Sequence, residues 1–270
     1  MILAINWTVS SEIIEDWRTP NWYGLLFVSG LIIGYFVVKK MFEKEKVSNE
    51  LLDKLVLYVV LATIIGARLG HVFFYDWAHY SQHPEQIIMI WKGGLASHGA
   101  AIAILISLYL YAKYPLKKPI LWILDRMAAP IAIGATFIRL GNLMNHEIVG
   151  HPTNVPWAFK FQRYYNETLG DYDPSPRHPS QLYEALLYLI IFGLLLFLFW
   201  KRNLWQKPGF IFGTLLILVF TARFFIEFTK EGQTARDFEL ALNTGQILSI
   251  PFVLAGCIIL IRSLKTKNTA

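Results

Sequence analysis

Gly209-Phe-Ile-Phe-Gly-Thr-Leu-Leu-Ile-Leu-Val-Phe-Thr-Ala-Arg-Phe-Phe-Ile-Glu-Phe228 runs for twenty residues, and its only charges, Arg223 and Glu227, stand near its end. A helix rises about 1.5 Å per residue, so the run covers about 30 Å, the hydrocarbon thickness of a bilayer. Six further apolar runs of similar reach flank it: Tyr23 to Val38, Leu55 to Tyr75, Leu95 to Tyr111, Ile120 to Met144, Leu182 to Trp200 and Gly245 to Ile261. The last holds Pro251, which neighbouring helices must accommodate. The chain as a whole agrees. Of its 270 residues 55% are hydrophobic and 16% charged, with mean hydropathy +0.42, whereas a water-soluble domain carries roughly a quarter charged residues. The expectation is an all-α, polytopic integral membrane protein of seven spans, one transmembrane catalytic domain over residues 1–270.

The net charge of +6 suits nucleic acid or an anionic membrane surface, and its distribution selects the membrane. One set of loops carries Lys39, Lys40, Lys44, Lys46 and Lys54, then Lys113, Lys117 and Lys118, then Lys201, Arg202 and Lys207, then Arg262, Lys265 and Lys267. The alternate loops are longer yet hold only Arg18, Lys92, Lys160, Arg163, Arg177, Lys230 and Arg236. The positive-inside rule puts the first set in the cytoplasm, the N-terminus outside and the C-terminus inside, which an odd number of spans requires. Trp22, Tyr23, Tyr75, Trp77, Trp91, Tyr111, Trp200 and Trp205 fall at span ends as an interfacial belt. The long loop of about 146–180 lies outside and is expected to form a small cap. The start of the chain lacks a basic region and does not read as a cleaved signal peptide.

Depth then sorts the polar residues. The fourth span starts inside near Ile120, so Arg139 lies about 29 Å along it, close to the outer surface. Arg223 and Glu227 occupy the outer turns of the sixth span, and Arg68 the outer half of the second. Tyr23, His98, and the group Arg177, His178, Gln181 and Glu184 stand at the outer ends of spans that run inward. Asn142, Asn145 and Glu147 follow Arg139 as its span emerges. Taken singly, Arg68 also suits a snorkelling anchor, His98 a packing histidine and Tyr23 a belt residue. Their gathering at one depth favours a site, because an ionisable group inside a span is costly unless paired or watered.

Arginines at headgroup depth suit a phosphate, which guanidinium binds through two parallel hydrogen bonds. If that phosphate leaves, fixed cations in a dry pocket stabilise the charge that grows on it. A histidine can take a proton from the attacking group near neutral pH. Gly93, Gly94 and Gly99 flank His98 and allow close backbone approach. The seven histidines are scattered and the sole cysteine, Cys257, lies near the inner side, so no metal site is expected. A transporter would place its charges near the midplane instead. A metal-dependent phosphatidyltransferase would need an aspartate cluster, and Asp125 stands alone near the inner side.

Arg139-Leu-Gly-Asn-Leu-Met-Asn-His-Glu-Ile-Val-Gly150 closely resembles the signature of the prolipoprotein diacylglyceryl transferase family, Gly-Arg-x-Gly-Asn-Phe-x-Asn-x-Glu-x-x-Gly. Trp22-Tyr-Gly24, Gly93-Gly-Leu-Ala-Ser-His-Gly99, Arg177-His-Pro-Ser-Gln-Leu-Tyr-Glu184, Arg223-Phe-Phe-Ile-Glu-Phe228 and Gly245-Gln-Ile-Leu-Ser-Ile-Pro251 look like further segments of it, in the same order. Ile138, Leu143, Ala96-Ser97 and Ala100 depart from the pattern, and they touch packing more than charge. The resemblance implies transfer of an sn-1,2-diacylglyceryl group from phosphatidylglycerol to the lipobox cysteine of a prolipoprotein signal peptide. It implies a multi-pass protein of the bacterial cytoplasmic (inner) membrane, with no metal or organic cofactor and no nucleic-acid partner. Carried onto this sequence, the catalytic candidates are His98, Arg139, Arg223 and Tyr23. The substrate-binding candidates are Arg139, Arg223, Asn142, Asn145, Glu147, Gly150, Glu227 and Gly99. In this reading the arginines hold phosphate, His98 takes the thiol proton, Tyr23 holds the headgroup or orients the base, and Asn142, Asn145, Glu147 and Glu227 fix the arginines.

Overall fold

The computed structural model describes residues 4–14, 20–166, 169–232 and 241–265. Arg18, Arg236 and Lys267 of the charge alternation, and the first three residues of the chain, lie outside the described residues.

Seven helices are long and apolar enough to cross a membrane. They are α1 (Trp22–Lys44), α2 (Asn49–Phe74), α4 (Ser97–Tyr111, continued by a π-helical turn over Ala112–Leu116), α5 (Ile120–Met144), α6 (Ser180–Trp200), α7 (Phe210–Ile226) and α8 (Thr244–Lys265). A short α3 (Trp77–Tyr80) follows α2. Each of the seven expected runs is thus a helix. The fourth has the expected limits, whereas α1 and α2 extend into polar sequence. Such turns escape a hydropathy reading because they stand beyond the apolar layer. Asn49 opens α2 on a capping side chain, Ser48 Oγ, which accepts from the Leu51 amide at 3.4 Å. Glu50 and Lys54 pair across one turn. Leu25, Leu31, Phe36, Ile64, Phe73, Ile106, Ile190 and Leu254 stand exposed along their helices. Large apolar side chains displayed in this number suit lipid rather than water.

By internal contact the chain divides into two units, Val38–Leu124 and the combination of Met1–Val37 with Asp125–Ala270. In Val38–Leu124, α2 packs on α4 through small residues. Gly66-Ala-Arg-Leu-Gly70 meets Gly99 and its neighbours so closely that a Cβ on Gly70 would lie 2.6 Å from the Gly99 Cα. This is the small-xxx-small device that lets membrane helices approach where no hydrophobic force drives them together.

The other unit contains α6, α7 and α8, most of α1 and α5, and all the β-structure. α7 packs most extensively on α8. A three-stranded sheet joins β1 (Ile5–Trp7) parallel to β2 (Phe159–Phe161), with β5 (Pro176–Arg177) antiparallel on the other side of β2. β3 (Tyr165–Asn166) and β4 (Asp171–Tyr172) form a hairpin. Leu143, Val149, Phe159 and Phe161 make a small apolar core beneath, with Trp7, Tyr164 and Leu182 packed on it. Trp7 Nε1 donates to the Leu143 carbonyl at 3.0 Å and so ties β1 to the end of α5.

Candidate active site

α5 is the most buried of the spans; its last turns carry Arg139 and Asn142, three residues apart, and Asn145 follows directly after its end. Past Met144 the chain turns sharply, with His146 and Ile148 in the left-handed region at φ 57° and 54°. That turn brings Glu147 back over the helix end. Asn142 Nδ2 donates to Glu147 Oε2 at 3.1 Å, and Asn145 Nδ2 to Oε1 at 2.9 Å. Gln181 Nε2 donates to the Glu147 carbonyl. Arg139 Nη1 in turn donates to Asn142 Oδ1 at 3.1 Å. Asn142 therefore takes from the arginine and gives to the glutamate, which fixes its amide orientation.

The strongest tie on Arg139 comes from a residue expected at the same depth but assigned no role. Its Nε lies 2.8 Å from Oε2 of Glu184, an ion pair although the N–H does not point squarely at the oxygen. Glu184 is fully buried in the first turns of α6. Its other oxygen, Oε1, accepts from Lys230 Nζ at 3.1 Å and from the Tyr188 hydroxyl at 3.1 Å. Lys230 is itself buried and pairs with Glu227 Oε2 at 3.0 Å. Glu227 thus partners a lysine rather than either arginine. Gly245, at the start of α8, leaves room for that carboxylate, since a Cβ there would meet Glu227 Oε1 at 2.5 Å. Two buried carboxylates, the buried Lys230 and the partly buried Arg139 compensate one another, as charges removed from water must.

Two signals for Glu184 and Lys230 were present in the sequence. Glu184 is the only charged residue from Ser180 to Trp200, and Lys230 stands one turn beyond Glu227. Which cation each carboxylate takes depends on how α5, α6 and α7 meet, and no local spacing specifies that.

Arg223 lies in the last turn of α7, and its Nε is buried with no hydrogen-bond partner among the described residues. Tyr188 is within electrostatic reach of both Arg139 and Arg223, so the two guanidinium groups serve one neighbourhood. Tyr23, in the first turn of α1, packs its ring on Gly141, where a Cβ would lie 2.7 Å from its Cδ2. Glu147 and Arg139 act electrostatically on its hydroxyl. Gly150 sits where a Cβ would meet the Thr229 carbonyl at 2.5 Å and Ser180 Oγ at 2.6 Å, so the chain passes close by the end of α7. Of the expected residues, Arg139, Asn142, Asn145, Glu147 and Tyr23 gather around one helix end, and Glu227 joins them through Lys230 and Glu184.

In Val38–Leu124, His98 is exposed in the first turn of α4, its ring 5.4 Å from that of Tyr75 and 5.5 Å from that of Phe74. Gly99 beside it is buried in the crossing with α2. Arg68, buried in α2, neither reaches solvent nor pairs with a carboxylate among the described residues. Its guanidinium donates to the carbonyls of Gln86 (2.6 Å), Ile87 (2.7 Å), Gly93 (2.6 Å) and Gly94 (3.2 Å), and lies 4.8 Å from the Tyr80 ring centre. It is a clamp on the loop that leads into α4.

Chemically, Arg139 at the end of α5 and Arg223 in the last turn of α7 offer two partly buried cations, the first braced by Glu184 and Asn142. Arg139 commits Nε and Nη1, and a guanidinium carries five N–H donors, so it retains donors for a ligand. Arg223 holds one buried donor unpartnered among the described residues. Such a pair suits an oxyanion with several acceptor oxygens. Among the described residues no group of three or more histidine, cysteine or carboxylate side chains is placed to hold a metal ion.

Known proteins match the chain over nearly its whole length. The family model described as prolipoprotein diacylglyceryl transferase matches residues 17–262. A relative named phosphatidylglycerol–prolipoprotein diacylglyceryl transferase, from Porphyromonas gingivalis, is 48% identical over 256 residues, covering 92% of this chain and 90% of its own. Relatives of the same name from Chloroherpeton thalassium (43% over 247 residues, 92% and 89% covered) and Bacteroides fragilis (40% over 269 residues, 95% and 94% covered) are similar along the same length. A match that takes in all seven long helices but the last turn of α8, with both arginines and the Asn142–Glu147 bracket, settles the relationship: this chain belongs to the prolipoprotein diacylglyceryl transferase family.

Proposed function

We propose that this protein moves the sn-1,2-diacylglyceryl group of phosphatidylglycerol onto the lipobox cysteine of a prolipoprotein, the first step of lipoprotein maturation. The observation that carries the reading is Arg139, braced between Glu184 and Asn142 with donors to spare, in company with an Arg223 whose Nε is buried and unpartnered among the described residues. In the reaction the cysteine sulfur attacks the glyceryl carbon that bears the phosphate oxygen. A C–S bond forms, that C–O bond breaks, and glycerol phosphate leaves with the bonding electrons. Negative charge rises on the departing phosphate, and the arginines stabilise it more in the transition state than in the substrate. The thiol proton must also go. A free thiol has a pKa of about 8.5 and is mostly protonated at pH 7. His98 takes that proton, a role supported by its residue type and by its position within a family segment. Tyr23 orients the headgroup, while Asn142, Asn145, Glu147 and Glu227 hold the cationic groups in place, Glu227 through Lys230. Gly150 and Gly99 keep the backbone close to where substrate binds.

The whole chain acts as a single transmembrane catalytic domain in the bacterial inner membrane, with residues 146–180 as an extracytoplasmic cap. The charge alternation supports that orientation, and the apolar surfaces of the helices require lipid around them. Membranes containing the protein, given phosphatidylglycerol and a lipobox peptide, are expected to yield a peptide heavier by one diacylglyceryl unit. A peptide of unchanged mass, with the protein inserted, would reject the proposal. His98→Gln tests the base separately. Near-normal transfer by that variant would assign thiol activation to the arginines' field alone.

A further inference from the structure

A buried aspartate at the opposite end of α5 has no part in the chemistry above. Asp125 is fully buried. Oδ2 accepts from the Gly209 amide at 2.7 Å and Oδ1 from the Phe212 amide at 2.9 Å. These are the orphan amides at the start of α7, so a carboxylate on one helix caps another. Its neighbour Arg126, equally buried, lies 5.8 Å from the Phe199 ring of α6 and 5.7 Å from the Trp205 ring in the turn between α6 and α7. One dipeptide thereby fastens the starts of α5 and α7 and the end of α6 together.

The lengths beyond that fastening match. The step along the chain from Asp125 to Arg139 on α5 equals the step from Gly209 to Arg223 on α7. The step from Glu184 to Phe199 on α6 is longer by a single position. At about 1.5 Å per residue each arm reaches about 21–23 Å. Equal arms from a common fixing point end at one level. Arg139 is also tied there directly, to Glu184 and Asn142. Among the described residues Arg223 has no such ion pair, and its Nε is unpartnered, so its level depends on where α7 begins.

We propose that Asp125 is a positioning residue that sets the depth of Arg223 relative to Arg139 from about 21 Å away. The kinetic part of the test rests on the function proposed above; the structural part does not. Spin labels at Ile131→Cys on α5 and Phe225→Cys on α7, both exposed, in a Cys257→Ser background, report the register of the two helices. With Asp125→Ala the interlabel distance distribution is expected to shift or broaden. The kcat for diacylglyceryl transfer per folded enzyme should fall by about 10- to 100-fold, the scale of an ångström-level misplacement, with KM for phosphatidylglycerol changed less than about threefold. Asp125→Asn keeps one acceptor but turns an N–H toward a backbone N–H. It should show the same two effects at smaller size, and it carries the test if the alanine variant does not fold. A purely structural aspartate would lower melting temperature alone. Unchanged distances and unchanged kcat in a folded, less stable variant would overturn the proposal. A wild-type protein inactive on phosphatidylglycerol would instead overturn the function, leaving the distance measurement to judge Asp125.

Discussion

Arg139→Ala removes the guanidinium that Glu184 and Asn142 brace. Transfer in membranes is expected to drop by at least about 100-fold, the scale for losing one donor to developing charge, with the protein still inserted. Retained transfer would remove Arg139 from the chemistry. Glu184→Ala acts differently, because it strands two cations rather than removing one. Breaking a buried pair by deleting one partner costs about 3–5 kcal/mol, so detergent-solubilised protein should melt markedly earlier as well as lose activity. Glu184→Gln should recover part of the stability, since its carbonyl still accepts from Tyr188 or Lys230, and less of the kcat. An unchanged melting point in Glu184→Ala would deny the bridging role. At this scale the sequence displayed the charged residues, and Asn142 as a partner of Arg139, but concealed which carboxylate each cation takes. Arg139 and Arg223 announce themselves as charges inside apolar runs. The pairing of Glu227 with Lys230, and of Arg139 with Glu184, is a tertiary matter. Glu227, expected among the residues that fix the arginines, reaches Arg139 through Lys230 and Glu184.

Helices and the small sheet respond to other variables. α2 and α4 approach through Gly66, Gly70 and Gly99, so Gly99→Leu should force them apart and reduce the yield of folded protein, which size-exclusion chromatography in detergent would read. The sheet carries a pH response. His146 Nδ1 accepts from the Arg163 amide at 3.3 Å, and Nε2 stands 2.9 Å from the Val9 carbonyl. That arrangement satisfies the neutral ring and leaves no place for a second proton. Burial, with Arg163 adding to it against the Val9 bond, holds the His146 pKa below its usual 6.5. Burial, with His151 nearby, does the same for His178. The unfolded chain therefore binds more protons than the folded one in this window. The stability these residues confer is complete above pH 6.5 and is lost as pH falls below it. Amides of Phe159–Phe161 should lose exchange protection at pH 5 relative to pH 7.5, once intrinsic rates are corrected. Equal protection would discount both histidines. Asp173 fails only at lower pH. Burial pushes its carboxyl up, but hydrogen bonds from Ser175 and Arg177 outweigh burial and hold it well below the ordinary range. The number and place of the long helices were legible because apolar length is a local property, whereas the polar ends of α1 and α2 were not. The pairing of Ile5–Trp7 with Phe159–Phe161 was not, for it joins two very short strands from distant parts of the chain.

For the whole molecule, the alternation of basic loops makes the sharpest statement. Single cysteines introduced at Lys46 and at Tyr172 should react from opposite sides with a membrane-impermeant thiol reagent, Tyr172 from outside in intact cells and Lys46 only after permeabilisation. The reverse pattern would invert the topology and remove the lipid donor's outer-leaflet setting from the proposed chemistry. Chelators are expected to leave transfer unaffected, and a loss restored by a divalent cation would contradict the metal-free reading. Fold class was available from seven apolar runs alone, since a bilayer demands long helices wherever a chain crosses it. The division into Val38–Leu124 and the remainder left no mark in the sequence, because α1 and α5 run through its boundaries without a break in their apolar pattern. The clamp that Arg68 places on the carbonyls of residues 86–94 has a consequence for biogenesis. α2 leaves the ribosome before those carbonyls do, so a bare guanidinium must wait in the lipid or at its edge. At about 5–20 residues per second, its acceptors follow within about 1–5 seconds, and the same stretch of chain that relieves the arginine is thereby folded by it. A translational pause placed between the two would prolong the exposure of that charge and give a quality-control protease its opportunity.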